Sequence, residues 1–293
     1  MRYENYGADA FIWACTGDEE MGLGFTGDGN IRISVDSIKI GEGVTLGGNI
    51  SIELRGGLEI GDYSHIGDDV HIRGNNVKIG KHFYHSKGLR VGGGGHNGPN
   101  ANLTIGDRCT MHNNFINICE PVTIGDDVGL SEEVSIITHG YWQSVLEGYP
   151  AKFEGVTIRD GVIVGYRSTI LMGVTIGENC VIGANSNVTN RLIPRGIYGG
   201  NPAKFIKCIW SPTRKEQRKK AAEIITKYMD VAEYHNFHPD IYLDFPYAEV
   251  DDFTVNLLTF EYEGEETEIT DHFRDYIRKW GIRIYTERPF KSN

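Results

Sequence analysis

Residues 156–191 read VTIRDGVIVGYRSTILMGVTIGENCVIGANSNVTNR, and an aliphatic side chain occupies the third position of every six-residue unit. Side chains alternate across an extended backbone, so the first and third positions of a unit share one face. The fourth to sixth positions carry mostly Gly, Asp, Asn and Glu, which favour turns. Each unit is therefore predicted to form a very short strand followed by a corner. The third-position residues are Ile158, Val164, Ile170, Ile176, Ile182 and Val188.

The same period extends upstream. Residues 122–139 divide into VTIGDD, VGLSEE and VSIITH, and earlier segments repeat the pattern with slips of one or two residues between them. Stacked units of this kind pair strand on strand and bury their aliphatic residues in a narrow continuous interior, which is the logic of a solenoid. Unrelated strands of a sandwich would not keep register over so many units. The upstream third-position residues are Ile40, Leu46, Ile52, Ile60, Ile66, Ile72, Ile124, Leu130 and Ile136.

The period stops once in this part of the chain, immediately after His139. The intervening residues 140–155 read GYWQSVLEGYPAKFEG, and the repeat resumes at Val156. His139 occupies the last corner of a complete three-unit coil, and a loop that leaves a rigid scaffold at such a corner is a common location for binding and catalysis. The alternative is that His139 is a solvated corner residue.

A further segment, residues 173–206, reads GVTIGENCVIGANSNVTNRLIPRGIYGGNPAKFI. With the repeats, it resembles the hexapeptide-repeat acyltransferases, in particular the galactoside, maltose and polysaccharide O-acetyltransferases. The resemblance implies a mainly β protein built as a left-handed parallel β-helix, three hexapeptides to a coil, although parallel crossovers usually have the opposite hand. It also implies a homotrimer with active sites between subunits. We expect an N-terminal cap at residues 1–30, the β-helix at 31–207 with its loop at 140–155, and a helix plus small α+β domain at 208–293.

The resemblance also implies roles for individual residues. It makes His139 the general base of an acetyl-CoA-dependent reaction, and it places an acceptor-binding asparagine near Asn114. Tyr141 and Trp142 in the loop are expected to bind the acceptor, because aromatic rings stack on the apolar faces of sugars. The alternative is that these aromatic side chains pack the loop against a neighbouring subunit.

The phosphates of coenzyme A are expected near the end of the repeats, where basic residues gather in an otherwise acidic chain. The motif GGNPAK, residues 199–204, ends the coil in the resembling family. In two places the chain departs from that family: Asn190 stands where a lysine is common, and Ile163 where many relatives have tryptophan. The residues expected to bind the cofactor are Gly165, Tyr166, Ala184, Thr189, Arg191 and Lys204.

Composition narrows the functional classes. A net charge of −11 over 293 residues argues against a general nucleic-acid binder. No run of eighteen apolar residues and no basic-then-apolar N-terminus is present, so neither a membrane span nor a signal peptide is expected. The five cysteines are scattered without paired spacing, which favours a reducing compartment, and we expect a cytoplasmic protein without a metal.

Four functions remain open at this stage. The first is O-acetylation of a sugar or saccharide, for instance in surface-polysaccharide synthesis, and the second is N-acetylation of a nucleotide-linked amino sugar. The third is a zinc hydratase of the same fold, a class that tends to place two histidine ligands about five residues apart. The residue five positions beyond His112 is Asn117, so the chain does not have this spacing there. The fourth is a noncatalytic scaffold.

After Lys207 the hexad disappears and other patterns follow. Thr213 with Glu216 is typical of a capping box at the start of a helix. A strand with a turn is predicted within residues 253–266, a second helix within 268–281, and a last strand at 282–287. We expect the apolar stripes of the two helices to be buried. The stripe residues are Ile224, Ile225, Tyr228, Met229 and Ala232 in the first helix, and Ile269, Phe273, Ile277 and Trp280 in the second.

Overall fold

The structure, a computed structural model, describes residues 11–15, 18–21, 26–27 and 30–288. The chain divides into two compact units, Met1–Ile209 and Trp210–Asn293. Within the described residues, no helix combines the length and apolar character needed to cross a membrane.

The first unit is a β-solenoid of three sheets, named I, II and III, whose successive strands pair in parallel. Sheet I contains Phe11–Cys15, Ile31–Val35, Ile50–Leu54, Val70–Gly74, Arg90–Gly92, Phe115–Asn117, Ser135–Ile136, Thr169–Ile170 and Asn187–Val188. Sheet II contains Glu19–Met21, Ser37–Ile40, Gly57–Ile60, Asn76–Ile79, Asn102–Ile105, Val122–Ile124, Val156–Ile158 and Thr175–Ile176.

Sheet III completes each coil and ends the solenoid. Its last strand, Lys204–Cys208, folds back antiparallel on Gly196–Gly199. The chain therefore passes through sheets I, II and III in turn, and this arrangement is consistent with the predicted left-handed β-helix. The strands of sheet III are Thr26–Gly27, Thr45–Leu46, His65–Asp68, Tyr84–Lys87, Thr110–Met111, Gly129–Leu130, Ile163–Val164, Val181–Ile182, Gly196–Gly199 and Lys204–Cys208.

The aliphatic positions of the hexad line the interior, as predicted. Every third-position residue named above is buried, and they belong to one continuous apolar cluster running from Ile31 to Tyr198. Equivalent positions of successive coils lie directly over one another, as Ile136 does over Ile170 and Ile170 over Val188. The predicted parallel β-solenoid with an aliphatic interior is therefore confirmed.

The sixth position of the unit usually turns the corner in the left-handed region of φ. Asp127, Glu133, Arg167, Asn179 and Asn185 all have φ between 55° and 60°. Asn and Asp tolerate this conformation better than most residues, which explains their recurrence at this point of the repeat.

The coils begin before residue 31, the predicted first residue of the β-helix. Phe11–Cys15 pairs in parallel with Ile31–Val35, and Glu19–Met21 pairs with the strand that ends at Ile40. Residues 1–10, 16–17, 22–25 and 28–29 of the predicted N-terminal cap lie outside the described residues. The segments between them extend the solenoid.

The second unit packs two helices with a four-stranded antiparallel sheet. Helix α1 spans Arg214–Tyr234 and begins with the predicted Thr213–Glu216 capping box; helix α2 spans Glu268–Arg278. The strands of the sheet are Ile241–Asp244, Tyr247–Val250, Phe253–Asn256 and Tyr262–Glu263.

Three details of the second unit differ from prediction. Met229 and Trp280 are each 40% exposed, so they lie at the edges of their stripes. Residues 282–287 form no strand, although Ile284 and Thr286 are buried and their neighbours are less so. This alternation has another cause: Arg274 donates a hydrogen bond to Thr286 Oγ1 and another, of 3.1 Å, to the carbonyl of Arg288. Hydrogen bonds from the Arg274 side chain, and not pairing with another strand, therefore fix the end of this segment.

Candidate functional site

Two edges of the solenoid carry the residues singled out by the sequence. We call the edge between sheets I and II the I/II corner, and the edge between sheets III and I the III/I corner. His139 follows the sheet I strand Ser135–Ile136, so it lies at the I/II corner. Residues 140–155 leave the solenoid at the same corner and rejoin it at Val156 in sheet II.

His139 stands at the base of this loop because the backbone stays extended there. Unlike the other sixth positions described above, His139 is not in the left-handed region; with Gly140 it pairs antiparallel with Lys152 and Phe153. The rings of Phe153 and Tyr141 flank the imidazole at centroid distances of 6.0 and 5.6 Å. The hairpin thus gives the partly buried imidazole an aromatic wall.

The rest of the loop is open to solvent. A short 3₁₀ helix, Val145–Glu147, begins at Ser144 and ends at Gly148. Trp142 is 88% exposed and Leu146 is 94% exposed. Of the two predicted acceptor-binding aromatics in the loop, the structure brings Tyr141 to His139 and leaves Trp142 exposed.

Asn117 is the polar partner of His139. Its Oδ1 lies 2.8 Å from His139 Nδ1 and accepts a hydrogen bond of 2.6 Å from the Thr138 hydroxyl. Its Nδ2 donates to the carbonyls of Gly92 and Gly94, at 2.9 and 3.0 Å. Asn117 was not among the predicted site residues; it is 3% exposed and connects two coils at the I/II corner.

A glycine-rich loop forms the other wall of the site. Residues 93–101 connect sheet I to sheet II one coil before Asn117, and they leave the regular repeat. A β-carbon added to Gly94 would lie 3.2 Å from His139 Nε2. Nε2 therefore faces a surface kept clear by the absence of a side chain.

Asn114 does not belong to this site, contrary to the expectation for an acceptor-binding residue. It is 1% exposed, and its Nδ2 donates to the carbonyls of Ser131 and Val134 at 2.8 and 3.4 Å. Its Oδ1 accepts from the backbone N–H of His112 at 2.8 Å. The amide is thus used inside the coil and cannot reach an acceptor in solvent.

The predicted cofactor-binding residues fall on both corners. Gly165, Tyr166 and Ala184 follow sheet III strands and lie at the III/I corner, where Lys204 begins the final strand opposite Gly199. Thr189 and Arg191 follow the sheet I strand Asn187–Val188 and lie at the I/II corner, as His139 does.

The III/I corner is closely packed and partly charged. A β-carbon on Gly165 would lie 2.6 Å from the backbone nitrogen of Ala184, so only glycine allows the next coil to stack there. Tyr166 donates a hydrogen bond of 3.2 Å to Glu133, and Arg167 pairs with the same carboxylate. The Arg167 hydrogen bond, followed by that of Tyr166, holds the pKa of Glu133 below its usual range. Tyr166 is thus already bonded to the preceding coil of the same chain.

Histidines accumulate in sheet III without forming a metal-binding group. His65 lies 2.7 Å from the Thr45 hydroxyl and His112 lies 2.8 Å from that of Ser86, while His85 is fully buried. Among the described residues of the single chain, no three His, Cys, Asp or Glu side chains are placed to hold a metal ion.

Residues 155–190 match the family described as the hexapeptide repeat of succinyl-transferase. The chain therefore contains a hexapeptide-repeat segment. It is 32% identical over 136 residues to a galactoside O-acetyltransferase of Escherichia coli, covering 46% of this chain and 55% of that protein. Over 78 residues it is 42% identical to a probable macrolide acetyltransferase of Lysinibacillus sphaericus, covering 26% and 43%.

A third relative is named as a carbonic anhydrase and not as an acetyltransferase. The chain is 32% identical over 94 residues to a mitochondrial gamma carbonic anhydrase of Arabidopsis thaliana, covering 31% of this chain and 32% of that protein. The chain therefore spans about half the length, or less, of these curated relatives.

Proposed function

We propose that the protein is an acyltransferase that moves an acetyl group from acetyl-CoA to a hydroxyl group of a sugar or saccharide, with His139 as general base. The observation that carries the proposal is the environment of His139: an imidazole at the base of the loop, held through Nδ1, with Nε2 beside a bare glycine. The likeness to a galactoside O-acetyltransferase supports the choice of reaction. Surface-polysaccharide synthesis is the setting that we infer for it.

The chemistry requires a base of this kind. The acceptor hydroxyl loses its proton as its oxygen attacks the thioester carbonyl, the C–S bond breaks, and the proton taken by the imidazole passes to the departing thiolate. Positioned proton transfer contributes on the order of 10²- to 10⁴-fold to such a rate. No covalent enzyme intermediate is needed, because the oxygen attacks the donor directly.

The donor is inferred to bind along the III/I corner. Lys204 supplies a positive charge there, and the small residues Gly165 and Ala184 leave the corner low enough for an extended pantetheine arm. Arg191 and Thr189 lie at the I/II corner and would approach the donor from the side of His139.

We infer from this division that the protein is a homotrimer, the state that the family resemblance implies. In one chain His139 and most donor-binding candidates lie at opposite edges of sheet I, so the III/I corner of one copy must meet the I/II corner of another to complete a site. The exposed apolar residues of the loop, Trp142 and Leu146, are suited to cover such a contact. Light scattering should return three times the chain mass of 32.7 kDa.

The direct test compares wild type with His139→Ala. Thiol release from acetyl-CoA is followed with a panel of galactosides, maltosides and amino sugars, and binding of acetyl-CoA is measured by calorimetry. We expect a hydroxyl acceptor to be used, His139→Ala to lose about 10²-fold or more of the turnover, and the affinity for acetyl-CoA to change little. Undiminished turnover by His139→Ala, or no binding of the thioester by wild type, would overturn the proposal; acetylation of amines alone would correct the acceptor.

A further inference from the structure

The carboxamide of Asn117 has only one orientation that satisfies its neighbours. Its nitrogen end lies 2.9 Å from the Gly92 carbonyl and 3.0 Å from the Gly94 carbonyl. A carbonyl oxygen can only accept, so the amide end that faces these two groups must be the NH₂. Two independent acceptors therefore fix which end of Asn117 faces His139.

The oxygen end of Asn117 then determines where the imidazole carries its proton. Oδ1 lies 2.8 Å from His139 Nδ1, and a carboxamide oxygen has no proton to donate. The hydrogen bond forms only if Nδ1 is the donor. In a neutral imidazole the other ring nitrogen, Nε2, is then the one with the free lone pair.

The position of Thr138 strengthens this assignment. Its hydroxyl is 2.6 Å from the same Oδ1, and it accepts the backbone N–H of Glu120 at 3.2 Å. Because the hydroxyl already accepts from a backbone donor, its own proton is free to bond to Asn117. Thr138 Oγ1 and His139 Nδ1 are thus the two closest donors to the oxygen of Asn117, and the backbone N–H groups of Cys119 and Thr138 also point to it at 3.4 Å each.

We propose that Asn117 is a positioning residue that sets the tautomer of His139, keeping the proton on Nδ1 and presenting the lone pair of Nε2 to the acceptor hydroxyl. The catalytic part of this inference rests on the proposed function; the tautomer does not. Asn117 acts through His139 and does not itself touch the reacting atoms. The glycine loop takes part, because Gly94 both accepts from Asn117 and leaves Nε2 uncovered.

Asn114 provides a matched control for substitutions of Asn117. Asn114 is a second asparagine, three residues earlier, and it is 1% exposed compared with 3% for Asn117. Its amide also binds backbone groups of a neighbouring coil, but it does not contact His139. Asn114→Ala removes a comparable buried amide and leaves the imidazole contact intact. Asn117→Asp keeps an acceptor for Nδ1 and loses the two donors to the glycine carbonyls.

The first experiment measures the tautomer directly. The full chain is prepared with ¹⁵N-labelled histidine, spectra are recorded at a pH where imidazoles are neutral, and the His139 signals are identified by their loss in His139→Ala. We expect the wild-type ring to be protonated at Nδ1, Asn117→Ala to shift toward protonation at Nε2, and both Asn117→Asp and Asn114→Ala to retain the wild-type state. Protonation at Nε2 in wild type, or an unchanged ring in Asn117→Ala, would overturn the assignment.

The second experiment asks what the tautomer does for the reaction. With acetyl-CoA and an accepted sugar, Asn117→Ala should lower kcat about 10-fold or more while KM for acetyl-CoA stays within about twofold. The expected size follows the comparable case of metal-ligating histidines, for which loss of the orienting partner typically costs 10- to 100-fold. Asn117→Asp should recover part of kcat, and Asn114→Ala should stay near wild type. A shifted tautomer with unchanged kcat would refute the catalytic role. Full activity of His139→Ala would instead defeat the proposed function and leave the tautomer assignment standing.

If Asn117→Ala does not fold, as circular dichroism would reveal, the wild-type spectrum and Asn117→Asp still decide the question. Both are expected to be protonated at Nδ1, and protonation at Nε2 in either of them would contradict the proposal.

Discussion

Gly94 lies so close to His139 that a β-carbon added to it would be 3.2 Å from Nε2 and 3.3 Å from Cε1 of the imidazole. The backbone of Gly94 does not itself require glycine, because its φ is not in the left-handed region. The reason for a glycine at this position is therefore the space in front of His139. A residue 45 positions away in sequence determines whether the lone pair of the proposed base is reachable.

Gly94→Ala should therefore impair turnover without unfolding the protein. The added methyl group would crowd the edge of the ring where the acceptor hydroxyl must approach, and we expect kcat/KM to fall by roughly the general-base contribution, on the order of 10²-fold. Gly98→Ala is the matched control in the same loop, because its β-carbon would meet only the Gly95 carbonyl at 3.4 Å. Steady-state rates and thermal melting of both variants check this; equal rates in the two variants would contradict it.

Lys204 provides a test of the donor site. If its ammonium group contacts a phosphate of coenzyme A, Lys204→Ala should weaken binding of acetyl-CoA about tenfold or more, since a hydrogen bond to a charged group contributes roughly 1.5–3 kcal/mol. Lys78→Ala removes a lysine whose partner is Glu59, 2.9 Å away on the outer face of sheet II, and should leave the affinity unchanged. Isothermal titration calorimetry of the two variants distinguishes them, and similar affinities would remove Lys204 from the site.

The interior of the solenoid was predictable because a single rule repeats. An inward aliphatic residue at every third position and a left-handed residue at the sixth are local properties, and residues such as Ile136 and Asp127 occupy the places that the hexad assigns to them. The same rule singles out His139, because the six-residue period stops immediately after it.

The partner of His139 was missed because it depends on the register between coils. Ile116 pairs with Ile136, so Ile116 is a third position and Asn114 is an inward first position, while Asn117 begins the corner. Counting the hexad from Ile116 would have excluded Asn114, but slips of one or two residues in this region hid that register. The Asn117–His139 contact itself joins side chains 22 residues apart, and only the stacked coils reveal it.

The capping box of helix α1 predicts a measurable contribution to stability. Thr213 Oγ1 accepts the backbone N–H of Glu216, and the Glu216 carboxylate accepts the backbone N–H of Thr213 at 2.7 Å. Thr213→Ala should lower the free energy of unfolding of the second unit by about 1 kcal/mol. Thr226→Ala, at an exposed position inside the same helix, should be neutral or slightly stabilising because alanine is the better helix former. Urea unfolding followed by circular dichroism tests the difference, and equal losses would contradict the cap.

His85 should make the first unit sensitive to acid. It points into the solenoid, is fully buried, and neither ring nitrogen has a hydrogen-bond partner within bonding distance among the described residues. Burial, reinforced by His112 and His65, lowers the pKa of His85 to about 4. In the unfolded chain the imidazole has its ordinary pKa near 6.5, so the unfolded state takes up a proton first as the pH falls.

The stability contribution of a neutral His85 is therefore complete above about pH 6.5 and decreases as the pH falls toward 4, by roughly 3 kcal/mol in total. His85→Leu replaces the ring with an apolar side chain and should remove this part of the pH dependence. The measurement is the free energy of unfolding in urea at about pH 7 and about pH 4.5 for wild type, His85→Leu and His238→Leu, the last being an exposed histidine of the second unit. Wild type and His238→Leu should lose more stability than His85→Leu over that interval; the same loss in all three would mean that the buried imidazole is not the group that titrates.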